Sequence, residues 1–227
     1  MEMSHAPRKE ERLAERPPVS DGEAPSTIFP VRRYLPGETI YRPGERKAEL
    51  FFLIEGAVKV WAEQPSPLIL DIVLPGEVFG DVSVEADARH EERADPHTAC
   101  LVRAFPVEQI LDKHNPSYSA IGLRLFKLYS RKAASARLHW KTVLFEDVRR
   151  RLARRLIELL RQAPETSGLT PLPVRLRQED LACMVGSTRV TICQTLNEFE
   201  RYGLVELRRS LIRADRAKLR EYLSMTE

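Results

Sequence analysis

The sequence has 227 residues, of which 43% are apolar, and its 36 basic and 33 acidic side chains leave a net charge of +3. This apolar content suffices for one large or two ordinary domains and excludes disorder along the whole chain. The net charge is too small to indicate nucleic acid binding by itself. The cysteines, Cys100, Cys183 and Cys193, are too few for a four-thiolate iron–sulfur cluster and suit a reducing compartment, so we expect a cytoplasmic protein.

The N-terminal segment, residues 1–27, is charged and contains several prolines. This composition predicts a flexible extension rather than a secretory signal. A basic arm for DNA is the alternative, but acidic residues such as Glu10 and Glu11 offset the arginines. No apolar run in the chain approaches the roughly 20 residues of a membrane span, so we expect no membrane partner.

Residues 28–115 combine short β-prone runs with frequent glycine and proline, a pattern typical of an all-β sandwich or barrel. The runs are Leu50–Ile54, Ala57–Trp61, Leu68–Leu74 and Cys100–Phe105. The triplet Pro-Gly-Glu recurs between them, and its proline and glycine suit type II turns. We interpret Gly37, Gly44 and Gly56 as turn glycines of this domain.

Residues 116–144 contain a single glycine and no proline after the first position, which predicts one long helix. Apolar residues recur along it at spacings of three and four, as in the seam of a coiled coil. The predicted seam residues are Leu125, Tyr129, Ala133, Ala136 and Trp140. We expect this seam to pair two copies of the chain; the alternative is that it covers the β-domain of its own chain.

The C-terminal third begins with an amphipathic helix, Val148–Gln162, whose outer face is rich in arginine. A proline-containing loop follows, and Gln178–Val185 then predicts a short helix. Gly186 predicts a turn, and Ser187 or Thr188 provides the N-cap hydroxyl for another helix. This order of helix, turn and capped helix is typical of a helix-turn-helix.

The second helix of this unit has an apolar and a polar face. Ile192, Leu196 and Phe199 recur at spacings of four and three, so we expect them to face inward. The predicted DNA-contacting residues are Ser187, Thr188, Arg189, Val190, Thr191 and Gln194. Arginine can donate two parallel hydrogen bonds to guanine, glutamine can pair with adenine, and a valine methyl group can contact thymine.

The segment after Gly203 alternates as a β-hairpin and carries three arginines. Arg208, Arg209 and Arg213 are placed to contact phosphates. Helices and hairpin together predict a winged helix-turn-helix over residues 145–227, with double-stranded DNA as the partner.

The order of β-roll, long helix and winged helix-turn-helix resembles the cyclic-AMP receptor protein/FNR family from Phe29 onward. The motifs that carry the resemblance are Pro43–Glu45, Leu50–Val58, Leu74–Gly80, Val185–Thr191, Leu196 and Tyr202–Val205. It implies an α+β fold with a cyclic-nucleotide-binding-like β-roll, a dimerisation helix and a C-terminal winged helix-turn-helix. It also implies a homodimer on two-fold symmetric promoter sites, contact with RNA polymerase, and guanine reading by Arg189. The run Val185–Thr191 is most similar to the nitrogen-control branch, whose half-sites begin GTA.

The same resemblance bears on a small-molecule effector. Cyclic-AMP-binding members read the ribose with a Gly-Glu-Leu segment and the phosphate with a later Arg-Ser-Ala segment. The residues at or near these positions are Gly80, Asp81, Val82, Ser83 and Arg89. Glu91 and Glu92 would repel an anion there, so we expect no requirement for cyclic AMP. A dicarboxylate near Arg131, haem, or no effector at all are the alternatives, and Asp81 and Arg89 could also be plain loop residues.

Two other functional classes compete with a transcription regulator. A metal-dependent β-barrel enzyme needs clustered histidines and carboxylates, but the five histidines are scattered and no His-x-His motif occurs. No nucleophile elbow or phosphate loop is present either. A nucleotide-sensing subunit without DNA binding would have no use for the helix-turn-helix. We therefore expect a DNA-binding regulator with no catalytic residues, no metal and no cofactor.

Overall fold

The computed structural model describes residues 29–63, 66–80, 87–110, 122–123, 125–130, 133, 146–165, 168–209 and 211–225. The strands of the N-terminal half are β1 Val31–Tyr34, β2 Glu49–Glu55, β3 Val58–Ala62, β4 Leu68–Val73, β5 Val78–Phe79, β6 Arg93–Pro96 and β7 Cys100–Pro106. They form two antiparallel sheets, ordered β1-β7-β2-β5 and β4-β3-β6, and the short helix α1, Val107–Ile110, follows. The predicted β-roll is confirmed, and the predicted extension 1–27 lies outside the described residues.

Aromatic side chains fill the interior of the β-roll. Phe51 of β2 stacks on Phe79 of β5 with ring centroids 5.3 Å apart, and Tyr41 stacks on Phe51 at 5.7 Å. Buried His90 stacks on Tyr41 at 4.0 Å, with the two rings 15° from parallel. The ring of His90 therefore belongs to this aromatic core.

The turn glycines of the β-roll differ in their surroundings. Gly37, Gly44 and Gly56 have φ values of 97°, 86° and 86°, which favour glycine. Among the described residues, a Cβ at Gly37 or Gly44 would meet no atom within 4 Å, so these are simple turn positions. A Cβ at Gly56 would lie 2.3 Å from the carbonyl oxygen of Ala99 and 2.8 Å from the Cβ of Cys100. Gly56 therefore also allows the β2–β3 turn to approach the start of β7.

Helical residues 125–130 pack against the β-roll of their own chain. Leu125 is only 1% exposed and lies in a buried cluster with residues that include Phe29 and Leu50. Half-buried Tyr129 packs against the same cluster. The prediction that Leu125 contacts a second copy is wrong, because this side chain is covered within its own chain.

The outer face of this helical region carries a different set of apolar residues. Leu123 is 57% exposed and Phe126 is 66% exposed, and Ala133 is exposed as well. The intervals from 123 to 126 and from 126 to 133 are those of a coiled-coil seam. The exposed seam thus runs beside the predicted one and shares Ala133 with it. The predicted interface residues Ala136 and Trp140 lie outside the described part of the chain.

The described part of the C-terminal half packs four helices around a small sheet. Its elements are α2 Val148–Leu159, β8 Leu169–Pro171, α3 Gln178–Val185, α4 Arg189–Arg201, β9 Val205–Arg208, β10 Leu211–Asp215 and α5 Arg216–Met225. The sheet has the order β8-β10-β9 and is antiparallel throughout. The predicted helices and hairpin are confirmed, whereas β8 lies in the segment predicted to be a loop.

The β-roll and the C-terminal half share an apolar interface. Ile69 and Ile72 of β4 lie in the same buried cluster as Leu152 and Leu156 of α2. Arg155 of α2 is also buried there and donates to the carbonyl of Leu70 at 3.2 Å. The predicted arginine-rich outer face of α2 is therefore wrong for Arg155, because this side chain lies at the interface.

Charged and polar contacts surround that interface. Nε and Nη2 of Arg161 each lie 2.6 Å from a carboxylate oxygen of Glu77, and Nη2 donates to the carbonyl of Ile72 at 2.8 Å. Farther along, Lys59 of β3 pairs with Asp180 of α3 at 2.6 Å. These contacts hold α2 and α3 against the sheet that contains β3 and β4.

Candidate nucleic-acid interface

A left-handed glycine and a capping threonine form the turn between α3 and α4. Gly186 ends α3 with φ 66° and ψ 54°, a conformation that favours glycine. Thr188 precedes α4 with an extended backbone, and its Oγ1 accepts a hydrogen bond from the N–H of Thr191 at 3.1 Å. The predicted turn and N-cap are confirmed, and Thr188 rather than Ser187 is the capping residue.

Arg151 of α2 stabilises this turn. Its Nε donates to the carbonyl of Val185 at 3.0 Å, and its Nη2 donates to the carbonyl of Gly186 at 3.4 Å. Carbonyls at the end of a helix have no partner within the helix, and a nearby cation also favours the helix dipole. This role could not be predicted from the sequence, because no spacing rule connects Arg151 to a turn that lies far along the chain.

The two faces of α4 differ as the sequence predicts. Ile192, Leu196 and Phe199 are fully buried. Among the predicted contact residues, the exposed ones are Thr188, Arg189, Val190 and Gln194, and the half-buried ones are Ser187 and Thr191. Val190 is 66% exposed, an unusual position for an apolar side chain. The first turns of α4 therefore present an arginine, a glutamine and methyl groups together, which are the side-chain types that contact base edges.

Arg189 makes an ion pair that the sequence did not reveal. Its Nε lies 2.9 Å from Oε1 of Glu179 in the first turn of α3, and both side chains are more than half exposed. The pair joins the first residue of α4 to the other helix of the motif. It was missed because the contact depends on how the two helices cross.

The wing, formed by β9 and β10, carries arginines with different surroundings. Arg213 donates to Glu206 at 3.1 Å and to the carbonyl of Leu169 at 2.9 Å, so it holds the sheet together. A phosphate contact by Arg213 stays a prediction. Arg208 donates to Glu206 at 2.8 Å while remaining mostly exposed. This hydrogen bond, assisted by Arg213, holds the pKa of Glu206 below its usual range.

Arg209 lies at the tip of the wing and faces solvent. Its φ of 46° is positive, which is uncommon for a residue with a side chain. A cavity of about 320 Å³ separates the wing from α3 and α4, and Arg189 and Arg209 both line it. Leu176, Leu196 and Ile212 also line this cavity. The structure thus brings the predicted base-reading and phosphate-contacting arginines to one surface.

Only two of the predicted effector-pocket residues lie in the described part of the chain. Gly80 has a φ of 86°, and a Cβ there would lie 3.0 Å from the ring of Phe51. Arg89 donates from Nη1 to the carbonyl of Gly44 at 2.7 Å, which ties it to a turn. The remaining predicted residues outside the described ranges are Asp81, Val82, Ser83 and Arg131. The effector pocket stays a prediction.

In the described part of the chain, no group of three or more histidine, cysteine or carboxylate side chains could hold a metal ion. None of the described helices is long and apolar enough to cross a membrane. Cys100 is buried at the start of β7, and burial raises the pKa of its thiol to about 11. A thiol with such a pKa is a poor nucleophile near neutral pH.

Two protein-family models match the two halves of the chain. The cyclic nucleotide-binding domain matches residues 31–115, from β1 through the end of the β-roll. The Crp-like helix-turn-helix domain matches residues 150–222, which include α3, α4 and the wing. The surface formed by α4 and the wing therefore lies within the second match.

Relatives of similar length are described as regulators. The CRP-like cAMP-activated global transcriptional regulator of Mycobacterium tuberculosis is 24% identical over 220 residues, covering 92% of this chain and 97% of that protein. The cyclic AMP receptor protein of Thermus thermophilus is 27% identical over 223 residues, covering 91% and 96%. The global nitrogen regulator of a Nostoc species is 25% identical over 202 residues, covering 86% and 87%.

Solved structures share the fold of the chain. FixK2 from Bradyrhizobium japonicum aligns with a TM-score of 0.72 at 19% identity, covering 86% of this chain and 96% of that chain. A transcriptional regulator of the CRP/FNR family from Thermus thermophilus aligns with a TM-score of 0.67 at 23% identity, covering 86% and 98%. At these identities the likeness shows the fold alone.

Proposed function

The chain belongs to the CRP/FNR family of transcription regulators, and we propose that it binds promoter DNA in the cytoplasm as a homodimer on two-fold symmetric sites. The observation that carries this proposal is the exposed face of α4. Arg189, Val190 and Gln194 face solvent there, while the opposite face of the helix is buried. A helix presented in this way can enter the major groove of DNA.

The residues of this face have distinct roles in the proposal. Arg189 reads guanine with two donors, Gln194 reads adenine, and Val190 contacts a thymine methyl group. Thr188 lies at the N-terminus of α4, where backbone N–H groups and the helix dipole favour a phosphate. Ser187, Thr191 and Arg208 contact the sugar–phosphate backbone of the DNA nearby, and Arg209 reaches a phosphate from the wing. Half-sites beginning GTA are proposed from the resemblance to the nitrogen-control branch.

The exposed apolar seam supports pairing of two copies. Leu123, Phe126 and Ala133 are exposed at coiled-coil intervals, and position 140, occupied by tryptophan, continues the interval of seven. Burial of such side chains against a symmetry mate stabilises a dimer. The two α4 helices of that dimer would occupy half-sites one helical turn apart, about 34 Å. RNA polymerase is the further partner in this proposal, with activation of transcription as the outcome.

We propose in addition that DNA binding does not require cyclic AMP. Arg89, predicted to lie near the phosphate position, donates to the carbonyl of Gly44, and Glu91 and Glu92 follow it in sequence. Carboxylates at that position would disfavour an anionic ligand. Effector-dependent binding is the second candidate. It is favoured by the match to the cyclic nucleotide-binding domain and by relatives that are named for cyclic AMP.

Matched substitutions of two arginines test the proposal. Arg189→Ala should remove about 1–3 kcal/mol of preference for the specific site, because a base contact is lost. Arg209→Ala should weaken binding to specific and random DNA equally and reduce the salt slope by about 1, because a phosphate contact is lost. Fluorescence anisotropy with a GTA-containing duplex and a scrambled duplex measures both effects. Equal losses on both duplexes for Arg189→Ala would refute base reading by this residue.

A further inference from the structure

We propose that Glu179 is a positioning residue for Arg189 and thereby contributes to DNA specificity. The carboxylate of Glu179 lies 2.9 Å from Nε of Arg189 and lines the same cavity beside the wing. This inference rests on the proposed function, because it requires that Arg189 donates hydrogen bonds to a base. It adds a residue on α3 to the surface predicted from α4 and the wing.

The ion pair with Glu179 leaves the base-contacting nitrogens of Arg189 available. Glu179 contacts Nε, the guanidinium nitrogen nearest the backbone. A guanidinium has five N–H donors in one rigid plane, and Nε carries only one of them, so an ion pair at Nε restricts the plane while the terminal nitrogens carry the other four donors. Those terminal nitrogens can donate in parallel to N7 and O6 of guanine. The ion pair and the base contact can therefore exist together.

Glu179 has a fixed position from which to hold this arginine. It lies in the first turn of α3, where the helix dipole favours a carboxylate. The neighbouring residue, Asp180, accepts a hydrogen bond from the backbone N–H of Arg177 at 2.9 Å. Asp180 also pairs with Lys59 of the β-roll at 2.6 Å. The start of α3 is thus tied to the β-roll, and Glu179 restricts the conformations that Arg189 can adopt.

The charge of Glu179 and its positioning role have opposite effects on DNA binding. A carboxylate near DNA repels phosphates, so its removal strengthens binding to any sequence. Loss of positioning weakens binding only where Arg189 contacts the correct base. The ratio of specific to random affinity therefore separates the two effects. Because the ion pair is largely exposed, its removal should leave the fold intact.

The test compares Kd values of the full chain for a preferred duplex and a random duplex over a range of salt concentrations. E179Q should lower the ratio of specific to random affinity about fivefold to tenfold and strengthen binding to the random duplex. E179D keeps the charge on a shorter side chain, so it should lower the ratio without strengthening random binding. In the R189A background, E179Q should leave the ratio unchanged, because the residue that it positions is absent.

Three results would overturn the inference. An unchanged ratio in E179Q would show that Glu179 acts only through its charge. A higher ratio would show that Glu179 competes with DNA for Arg189. An equal fall in the R189A background would assign the effect to another contact of Glu179. If the unsubstituted chain itself shows no preference for the selected duplex, the proposed function fails instead, before the role of Glu179 is tested.

Discussion

Gly56→Ala should destabilise the β-roll by far more than the cost of placing a side chain at a positive φ. A side chain at a φ of 86° costs about 1–2 kcal/mol because its Cβ crowds the backbone. The new Cβ would also lie 2.3 Å from the carbonyl oxygen of Ala99 and 2.8 Å from the Cβ of Cys100. Backbone must move to relieve this contact, and overpacking of this kind costs about 1–3 kcal/mol. We expect a total loss of about 2–5 kcal/mol.

Gly44→Ala is the matched control for this prediction. Gly44 has the same φ of 86°, but a Cβ there would meet no atom of the described part of the chain within 4 Å. Its substitution should therefore cost only the conformational part, about 1–2 kcal/mol. Urea unfolding followed by circular dichroism, at one protein concentration for all variants, measures both free energies of unfolding. If Gly56→Ala and Gly44→Ala lose equal stability, the close approach to β7 has no energetic consequence and the reasoning is refuted.

Three further predictions concern the β-roll and the seam. Burial raises the pKa of the Cys100 thiol from 9.0 to about 11. The unfolded chain then loses its proton first, so stability should fall as pH rises from 9 to 11, by about 1–3 kcal/mol in total. Urea midpoints against pH measure this loss, and its persistence in Cys100→Ala would contradict the assignment. Leu125→Ala should cost about 2–5 kcal/mol of stability. Phe126→Ala should instead weaken dimerisation in sedimentation experiments. If Leu125→Ala weakens dimerisation and Phe126→Ala lowers stability, the result would support the seam predicted from the sequence.

The features predicted correctly from the sequence have causes that lie close together in the chain. The turn at Gly186, the cap at Thr188 and the buried face of α4 depend on residues within a few positions of one another. Capping chemistry and helical periodicity act over that range. Both helices and the buried face of α4 could therefore be predicted. The predicted contact face of α4 follows from the same periodicity.

The described helical residues 125–130 show why the side that faces the β-roll could not be chosen from the sequence. Apolar residues lie on two faces there, one that covers the β-roll through Leu125 and one that is exposed through Phe126. Apolar residues recur at intervals of three and four on both faces, so periodicity alone does not identify the side that faces the β-roll. Only the packing of the helix on the β-roll distinguishes Leu125 from Phe126.

Contacts between distant elements were also beyond sequence reasoning. Arg151 reaches the end of α3 from another helix, and Glu179 meets Arg189 across the helix crossing. Arginine and glutamate are common on helix surfaces, so neither residue type signals such a partner. Arg213 was predicted to face DNA because it is basic, but the adjacent strand places Glu206 against it.

Selection of preferred duplexes from random DNA by the purified chain tests the central claim most directly. It should be run without ligand, with cyclic AMP and with 2-oxoglutarate. We expect a two-fold symmetric consensus without ligand, with half-sites one helical turn apart and a guanine that is lost with Arg189→Ala. A consensus that appears only with one ligand would contradict effector-independent binding. The absence of any consensus under all three conditions would contradict sequence-specific DNA binding by α4.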